Sequence, residues 1–200
     1  MIDPKQVIKF DRSDAELEEF FLFCYAVAGK NADQTAIKVD RLCTMLNNLV
    51  MPIAPLQNLI LLKNKEHDYT IDKLLRSCKL GKYKMWSRML HYLRNIGDIQ
   101  AFLRKAQLHH FEEIFGVGPK TARFFLMSTR PDQRYAVLDT HILKWLSNGY
   151  RKVPKTTPRG NNYLEWERIA ITRMEAIKGP NETLADVDLH LWKTYSGRGG

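Results

Sequence analysis

An all-α fold is predicted by two features of the sequence. Apolar residues recur at helical spacing from one end of the chain to the other, while the alternating patterns that strands need are scarce. The periodic stretches are also cut at short intervals by Gly, Pro, Asn and Asp, residues that end helices and build turns.

The first helix is the most sharply marked. Leu17, Phe20, Phe21, Cys24, Val27 and Ala28 fall on one stripe, Ser13 and Glu16 offer a capping box ahead of it, and Gly29 is placed to end it. A second stripe runs through Val39, Leu42, Cys43, Leu46, Leu49 and Val50 and stops before Pro52 and Pro55, which cannot continue a helix interior. Shorter helices are expected over 55–62, 71–77, 84–95, 99–106 and 108–115, and two more over 164–178 and 183–192. Between them YRKVPKTTPRGNN is basic and rich in Pro and Gly, with Val153 its one aliphatic residue, and it reads as a long exposed loop.

Size and charge bound the class. Two hundred residues with 44% apolar content can bury a core, as one domain or as two tightly joined lobes. Thirty-one Lys and Arg against 22 Asp and Glu leave a formal charge of +9, which favours a polyanionic partner. No window reaches the ~18 uninterrupted apolar residues that a bilayer span requires, and MIDPKQVIKFDRSD lacks the apolar core of a secretion signal, so an intracellular protein is expected. Cys24, Cys43 and Cys78 are odd in number and far apart, which suits core thiols in a reducing compartment. No Cys or His spacing suggests a zinc site.

The most informative stretch is FEEIFGVGPKTARFFLMS, residues 111 to 128. Gly116 and Gly118 permit backbone angles that side chains forbid and leave amide hydrogens uncovered, Val117 can tuck inward, and Pro119 suits a first helical position. Free amides at a helix start attract phosphate. The small Ala122 permits close helix approach, with Ile114, Phe115, Phe125 and Leu126 available for the seam. The pattern resembles the helix-hairpin-helix family. That resemblance implies DNA-backbone binding through Gly116, Val117, Gly118, Lys120 and Thr121. It also implies a possible Na⁺ or K⁺ held by main-chain oxygens of residues 114–118.

RYAVLDTHILKWL, residues 134 to 146, follows shortly after. GVGPKTA with the aspartate of LDTHI nineteen residues beyond its lysine resembles the helix-hairpin-helix DNA glycosylase superfamily, which includes endonuclease III and the 8-oxoguanine glycosylases. The resemblance implies a single two-lobed helical domain over 1–200. One lobe would span about 31–135 and include the hairpin at 108–128; the other would join 1–30 to 136–200. It also implies a catalytic aspartate at Asp139 and, in bifunctional members, a nucleophilic lysine at Lys120. The residue chemistry agrees with these roles. A first-turn lysine faces the positive end of the helix dipole, which disfavours its ammonium form. Asp139 can cap the helix that follows, and amide hydrogen bonds would keep it ionised to stabilise a cationic sugar.

The expected activity is therefore excision of an oxidised base from duplex DNA, 8-oxoguanine first, with AP lyase cleavage through a lysine Schiff base. The alternatives are a monofunctional glycosylase for alkylated or deaminated bases and a non-catalytic helix-hairpin-helix DNA-binding protein. Candidates for the wedge or base pocket are Lys30, Asn31 and Gln34 between the first two helices and Tyr83 in LGKYKMW, where Trp86 is expected to face the core. Trp192 and Lys193 join them because ADVDLHLW resembles the terminal DLxLW segment of compact archaeal-type 8-oxoguanine glycosylases. His141 is expected to pack or hydrogen-bond. No cysteine follows Cys78, so the iron–sulfur cluster of endonuclease III is not expected. No cofactor is required on this reading, and the protein should act as a monomer.

Overall fold

A computed structural model describes residues 1–46, 51–61, 71–81 and 83–197. Among the described residues there are eleven helices and no strand. They are α1 (Asp14–Val27), α2 (Ala32–Met45), α3 (Ile53–Leu61), α4 (Ile71–Ser77), α5 (Tyr83–Arg94), α6 (Ile99–Lys105), α7 (Leu108–Glu112), α8 (Pro119–Thr129), α9 (Thr140–Ser147), α10 (Gly160–Ile177) and α11 (Leu184–Tyr195). The chain forms two compact units, one of Met1–Gln6 with Asp11–Val117 and one of Val7–Phe10 with Gly118–Gly200.

In the first unit α1 is the central helix. Its capping box is formed as expected: the Glu16 N–H donates to Ser13 Oγ at 3.3 Å and the Ser13 N–H donates to Glu16 Oε2 at 2.8 Å. Every residue from Phe20 to Ala26 is buried, and the helix packs on α2 and α6. Glu18 is buried with them because both its oxygens are used: the Ile53 N–H donates to it at 2.8 Å and Gln100 Nε2 at 2.7 Å. Trp86 is in the core, as expected, meeting the Tyr25 ring edge to face at 5.3 Å.

The second unit gathers α8 to α11 around Met127, Leu138, Ile142, Leu146, Tyr163 and Met174. Helix α11 packs against α8, α9 and α10. Residues 7–10 join this unit, with the Lys9 N–H donating to the Ser128 carbonyl at 3.0 Å.

The compact units are drawn along other bounds than the expected lobes of 31–135 and of 1–30 with 136–200, α1 packing with α2 and α6. Several other expectations need correction. Helix α7 stops at Glu112, short of Phe115, because the chain turns early, the Val117 N–H donating back to Ile114 at 2.9 Å. Phe115 is not a seam residue: it is 40% exposed with the Arg88 guanidinium over its ring. Helix α10 starts at Gly160, within the expected loop, and the loop is tied down where Thr157 Oγ1 donates to the Leu138 carbonyl at 2.9 Å and Pro158 is buried. Leu49, Val50, Leu62 and Lys82 lie outside the described residues.

Candidate active site

The glycine turn owes its shape to space as well as to backbone freedom. Gly116 has φ +84°, and a Cβ there would sit 2.7 Å from the Tyr25 hydroxyl and 2.9 Å from Met85 Cε. That hydroxyl donates to the carbonyls of Met85 at 2.9 Å and Phe115 at 3.2 Å, sharing its one hydrogen between them. Val117 is buried, as expected. The carbonyls of Gly116 and Val117 accept no hydrogen bond among the described residues, and they are the hard oxygen donors that Na⁺ or K⁺ would use. No group of three or more His, Cys, Asp and Glu suited to a metal occurs among the described residues, and Cys24, Cys43 and Cys78 are free thiols.

In the second unit Gly118 has extended backbone and caps α8, and Pro119 occupies the first turn, where no amide hydrogen is needed. Lys120 follows, half-buried; Thr121 beside it is buried. Asp139 caps α9: its Oδ1 accepts the amide hydrogens of His141 at 2.8 Å and Ile142 at 2.9 Å. Only 8% of it is exposed.

The segment that carries Asp139 is held by side chains. Ala136 N–H donates to Glu167 Oε1 at 3.2 Å, Val137 N–H to Asp188 Oδ1 at 3.1 Å, and Leu138 N–H to the Tyr163 hydroxyl at 3.2 Å. The same hydroxyl donates to the Ala136 carbonyl at 2.9 Å. With no neighbouring strand to pair with, this backbone is satisfied almost group by group from α10 and α11, as buried peptide groups require. Arg123 on α8 completes the frame. Its Nε donates to Glu167 Oε1 at 2.6 Å, an Nη reaches the Pro119 carbonyl at 3.3 Å, and its guanidinium lies 4.6 Å from the centre of the Tyr163 ring. Arg123 thus ties the turn that bears Lys120 to the helix that holds the approach to Asp139.

Asp188 lies beside the approach to Asp139, its Oδ1 accepting the Val137 N–H. Burial raises its carboxyl, the Asp139 carboxylate raises it further, and the Val137 amide and the Lys120 cation pull the other way; the result is pushed up to about 8. The residue keeps partial exposure, while the protein packed around its carboxyl dominates its surroundings.

The remaining candidates are placed as follows. Lys30 Nζ donates a short hydrogen bond to the Leu80 carbonyl, Asn31 caps α2 by accepting from the Gln34 N–H at 3.0 Å, and Gln34 is exposed. Tyr83 lies under the Arg76 guanidinium, 4.3 Å from the ring centre. Trp192 is half-buried and meets the His141 ring edge-on at 6.4 Å, with Lys193 next to it also half-buried. His141 Nδ1 lies 3.2 Å from the Tyr195 carbonyl, in the hydrogen-bonding role expected. Sequence reasoning missed Arg123, Thr157, Tyr163, Glu167 and Asp188. The available signal was polarity on an apolar stripe, Glu167 sharing a face with Tyr163, Ala170 and Met174 and Asp188 with Leu184 and Leu191, all of them buried except the half-buried Asp188, which is also the aspartate of the DLxLW segment.

A glycine turn opens a helix with a first-turn lysine, and a capping aspartate follows in a frame that is all-helical among the described residues. No family model matches the chain. Over 135 residues it is 30% identical to an 8-oxoguanine DNA glycosylase/AP lyase of Thermoplasma volcanium, covering 63% of each protein. Over 107 residues it is 33% identical to the 8-oxoguanine DNA glycosylase/AP lyase of Thermoplasma acidophilum, covering 49% of this chain and 51% of that protein. The matches therefore span less than two thirds of either relative. The fold is shared with the Methanocaldococcus jannaschii 8-oxoguanine glycosylase/lyase solved with a 15mer DNA containing 8-oxoguanine. The TM-score is 0.67 at 23% identity, over 96% of this chain and 88% of that one. The chain thus shares a helical fold with that structure and partial sequence similarity with the two Thermoplasma proteins.

Proposed function

We propose that this protein is a base-excision DNA glycosylase with AP lyase activity, acting inside the cell as a monomer on duplex DNA, with 8-oxoguanine its first substrate. The observation that carries the proposal is the first-turn lysine, Lys120, directly after a glycine hairpin suited to phosphate, followed by Asp139 held as the cap of the next helix by two amide hydrogens. The names of the relatives and the DNA complex of the structural neighbour support the substrate class.

The residues take these roles. The amides of Gly116, Gly118 and Thr121 and the charge of Lys120 engage the backbone of the strand, the Val117 N–H being taken by Ile114, and the target nucleotide leaves the stack to reach the site. The Lys120 amine attacks C1′, and the glycosidic bond breaks with its electron pair leaving on the base. The sugar ring then opens to a C1′=N Schiff base. Loss of a C2′ proton expels the 3′ phosphate and cuts the strand. Asp139, held by two amide hydrogens, stabilises the positive charge on the sugar as the base departs. Gln34, which is exposed, and the half-buried Trp192 and Lys193 are the candidates to meet the gap or the base. Lys30, Asn31 and Tyr83 keep the structural contacts described, so their part in that step is secondary.

The test is a panel of duplexes, each with one modified base, scored separately for base release, strand cleavage and borohydride-trapped adduct. Wild-type protein should give an adduct on the 8-oxoguanine duplex, and Lys120→Gln should abolish it. Asp139→Asn should bind the same duplex while excision falls by about 10²–10³-fold. Base release without any adduct would favour the monofunctional alternative. Salt-sensitive binding with neither damage preference nor base release would favour the non-catalytic one.

A further inference from the structure

Arg123 and Glu167 form an ion pair that packing alone does not explain. Their side chains are 2% and 8% exposed, and Arg123 Nε lies 2.6 Å from Glu167 Oε1. Taking two charges out of water costs about as much as their attraction returns, and apolar residues of the same volume often serve stability as well or better. What apolar residues cannot supply is direction.

The hydrogen bonds of the pair run to the two places where the proposed chemistry sits. On α8 an Nη of Arg123 donates at 3.3 Å to the Pro119 carbonyl, which belongs to the peptide that leads into Lys120. On the far side Glu167 Oε1 accepts the Ala136 N–H at 3.2 Å, three residues before Asp139. Tyr163, one turn before Glu167 on α10, lies 4.6 Å from the guanidinium and brackets the same stretch. Its hydroxyl accepts from the Leu138 N–H at 3.2 Å and donates to the Ala136 carbonyl at 2.9 Å. The Lys120 peptide and the Asp139 segment are thus joined through two side chains, and all of these residues belong to one compact unit. The guanidinium is a rigid plane, so the direction in which Nε meets Glu167 also sets the direction in which Nη meets Pro119.

We propose that Arg123 and Glu167 are positioning residues for base excision, holding the Lys120 turn and the Asp139 segment at one fixed spacing. This inference rests on the roles proposed for Lys120 and Asp139. Release of a base uses both groups, the amine at C1′ and the carboxylate for the positive charge on the sugar, and a misplacement of about 1 Å can cost about 10²-fold. Attack on the aldehyde of an abasic site needs the amine alone, because the base has already gone. The bridge should therefore matter much to the first reaction and little to the second.

The test uses the full chain with Glu167→Gln and Arg123→Met combined. Both charges go together, so neither is left buried alone, and the glutamine keeps an oxygen for Ala136. In denaturant the double variant should be far more stable than Glu167→Gln by itself. Its single-turnover release of base from an 8-oxoguanine duplex should nevertheless stay about 10²-fold below wild type. The borohydride adduct on a duplex with an abasic site should form at close to the wild-type rate. Arg123→Lys keeps a charge opposite Glu167 but not the planar fork, so its base release should fall between wild type and the double variant. Should the double variant not fold, the ratio of the two reactions in Arg123→Lys decides alone.

Wild-type base release from a folded double variant would reduce the pair to packing and overturn the proposal. Base release and abasic-site adduct falling in step would overturn it as well, since a general loss of structure predicts that. If wild type forms no adduct on either duplex, the reading of Lys120 falls and takes this one with it. A wild-type adduct combined with unaltered base release in the variants removes this inference alone.

Discussion

Ala136 and Val137 are neighbours in the segment leading into α9, yet their amide hydrogens end on two very different carboxyl groups. Ala136 donates to Glu167, whose same oxygen also receives Arg123 Nε at 2.6 Å. Val137 donates to Asp188, which has no cation in contact among the described residues and is raised by burial and by the Asp139 carboxylate. The Glu167 side is a closed frame, its carboxylate and the Arg123 guanidinium meeting within it. The Asp188 side is open, and its charge depends on what Lys120 and Asp139 carry. A stable frame beside a titrating group is what a site needs if its geometry is to survive changes of protonation.

The sharpest way to break this comparison is to remove one charge from the closed side. Glu167→Gln keeps an oxygen for Ala136 but leaves the Arg123 guanidinium buried, 2% exposed at its side chain, without its anion. The expected cost is about 3–5 kcal/mol in denaturant unfolding. Adding Arg123→Met should recover much of that loss, because the orphaned charge goes with it. The corresponding exchange on the open side, Asp188→Asn, should cost far less, since it removes a carboxyl that burial already disfavours in its charged form. Equal losses from Glu167→Gln and Asp188→Asn would erase the distinction between the two sides.

A smaller effect is expected from Tyr163→Phe. The ring is fully buried and would keep its place beside Arg123, but the Leu138 N–H and the Ala136 carbonyl would both lose their partner. About 1–3 kcal/mol should be lost. Because the hydroxyl holds the approach to Asp139, base excision should fall while binding of undamaged duplex, which depends on the hairpin, stays the same. Parallel losses in both assays would mean that the frame supports the whole unit and not the aspartate in particular.

The same contrast explains what could be read from the chain and what could not. The α1 capping box, the inward Val117 and the capping Asp139 rest on contacts between residues two or three apart, so local spacing reveals them. The Glu167 bond to Ala136 and the Asp188 bond to Val137 span 31 and 51 residues, and no local pattern says which amide a buried carboxyl will meet. What the sequence does show is an acid on an apolar stripe, at Glu167 in α10 and Asp188 in α11. A buried acid implies an unseen partner. The early end of α7 and the exposure of Phe115 were hidden for a related reason. Apolar residues at helical spacing mark a face, and the turn that ends the helix is fixed by Tyr25 reaching the Phe115 carbonyl across 90 residues of chain.

The finest test concerns the loop side of the segment. Thr157 Oγ1 donates to the Leu138 carbonyl at 2.9 Å, one residue before Asp139. Thr157→Val keeps the shape of the side chain and deletes only the donor, so about 0.5–1.5 kcal/mol is at stake. For a chain of this size that is a fall in Tm of about 2–4 °C per kcal/mol. If the carboxyl contacts from α10 and α11 fix the segment, excision should stay within about twofold of wild type despite the lower Tm. A loss of excision as large as that from Tyr163→Phe would show that the loop after α9 shares in holding Asp139. The closed frame would then extend from α10 into the 150–159 stretch that the sequence marks as solvated surface.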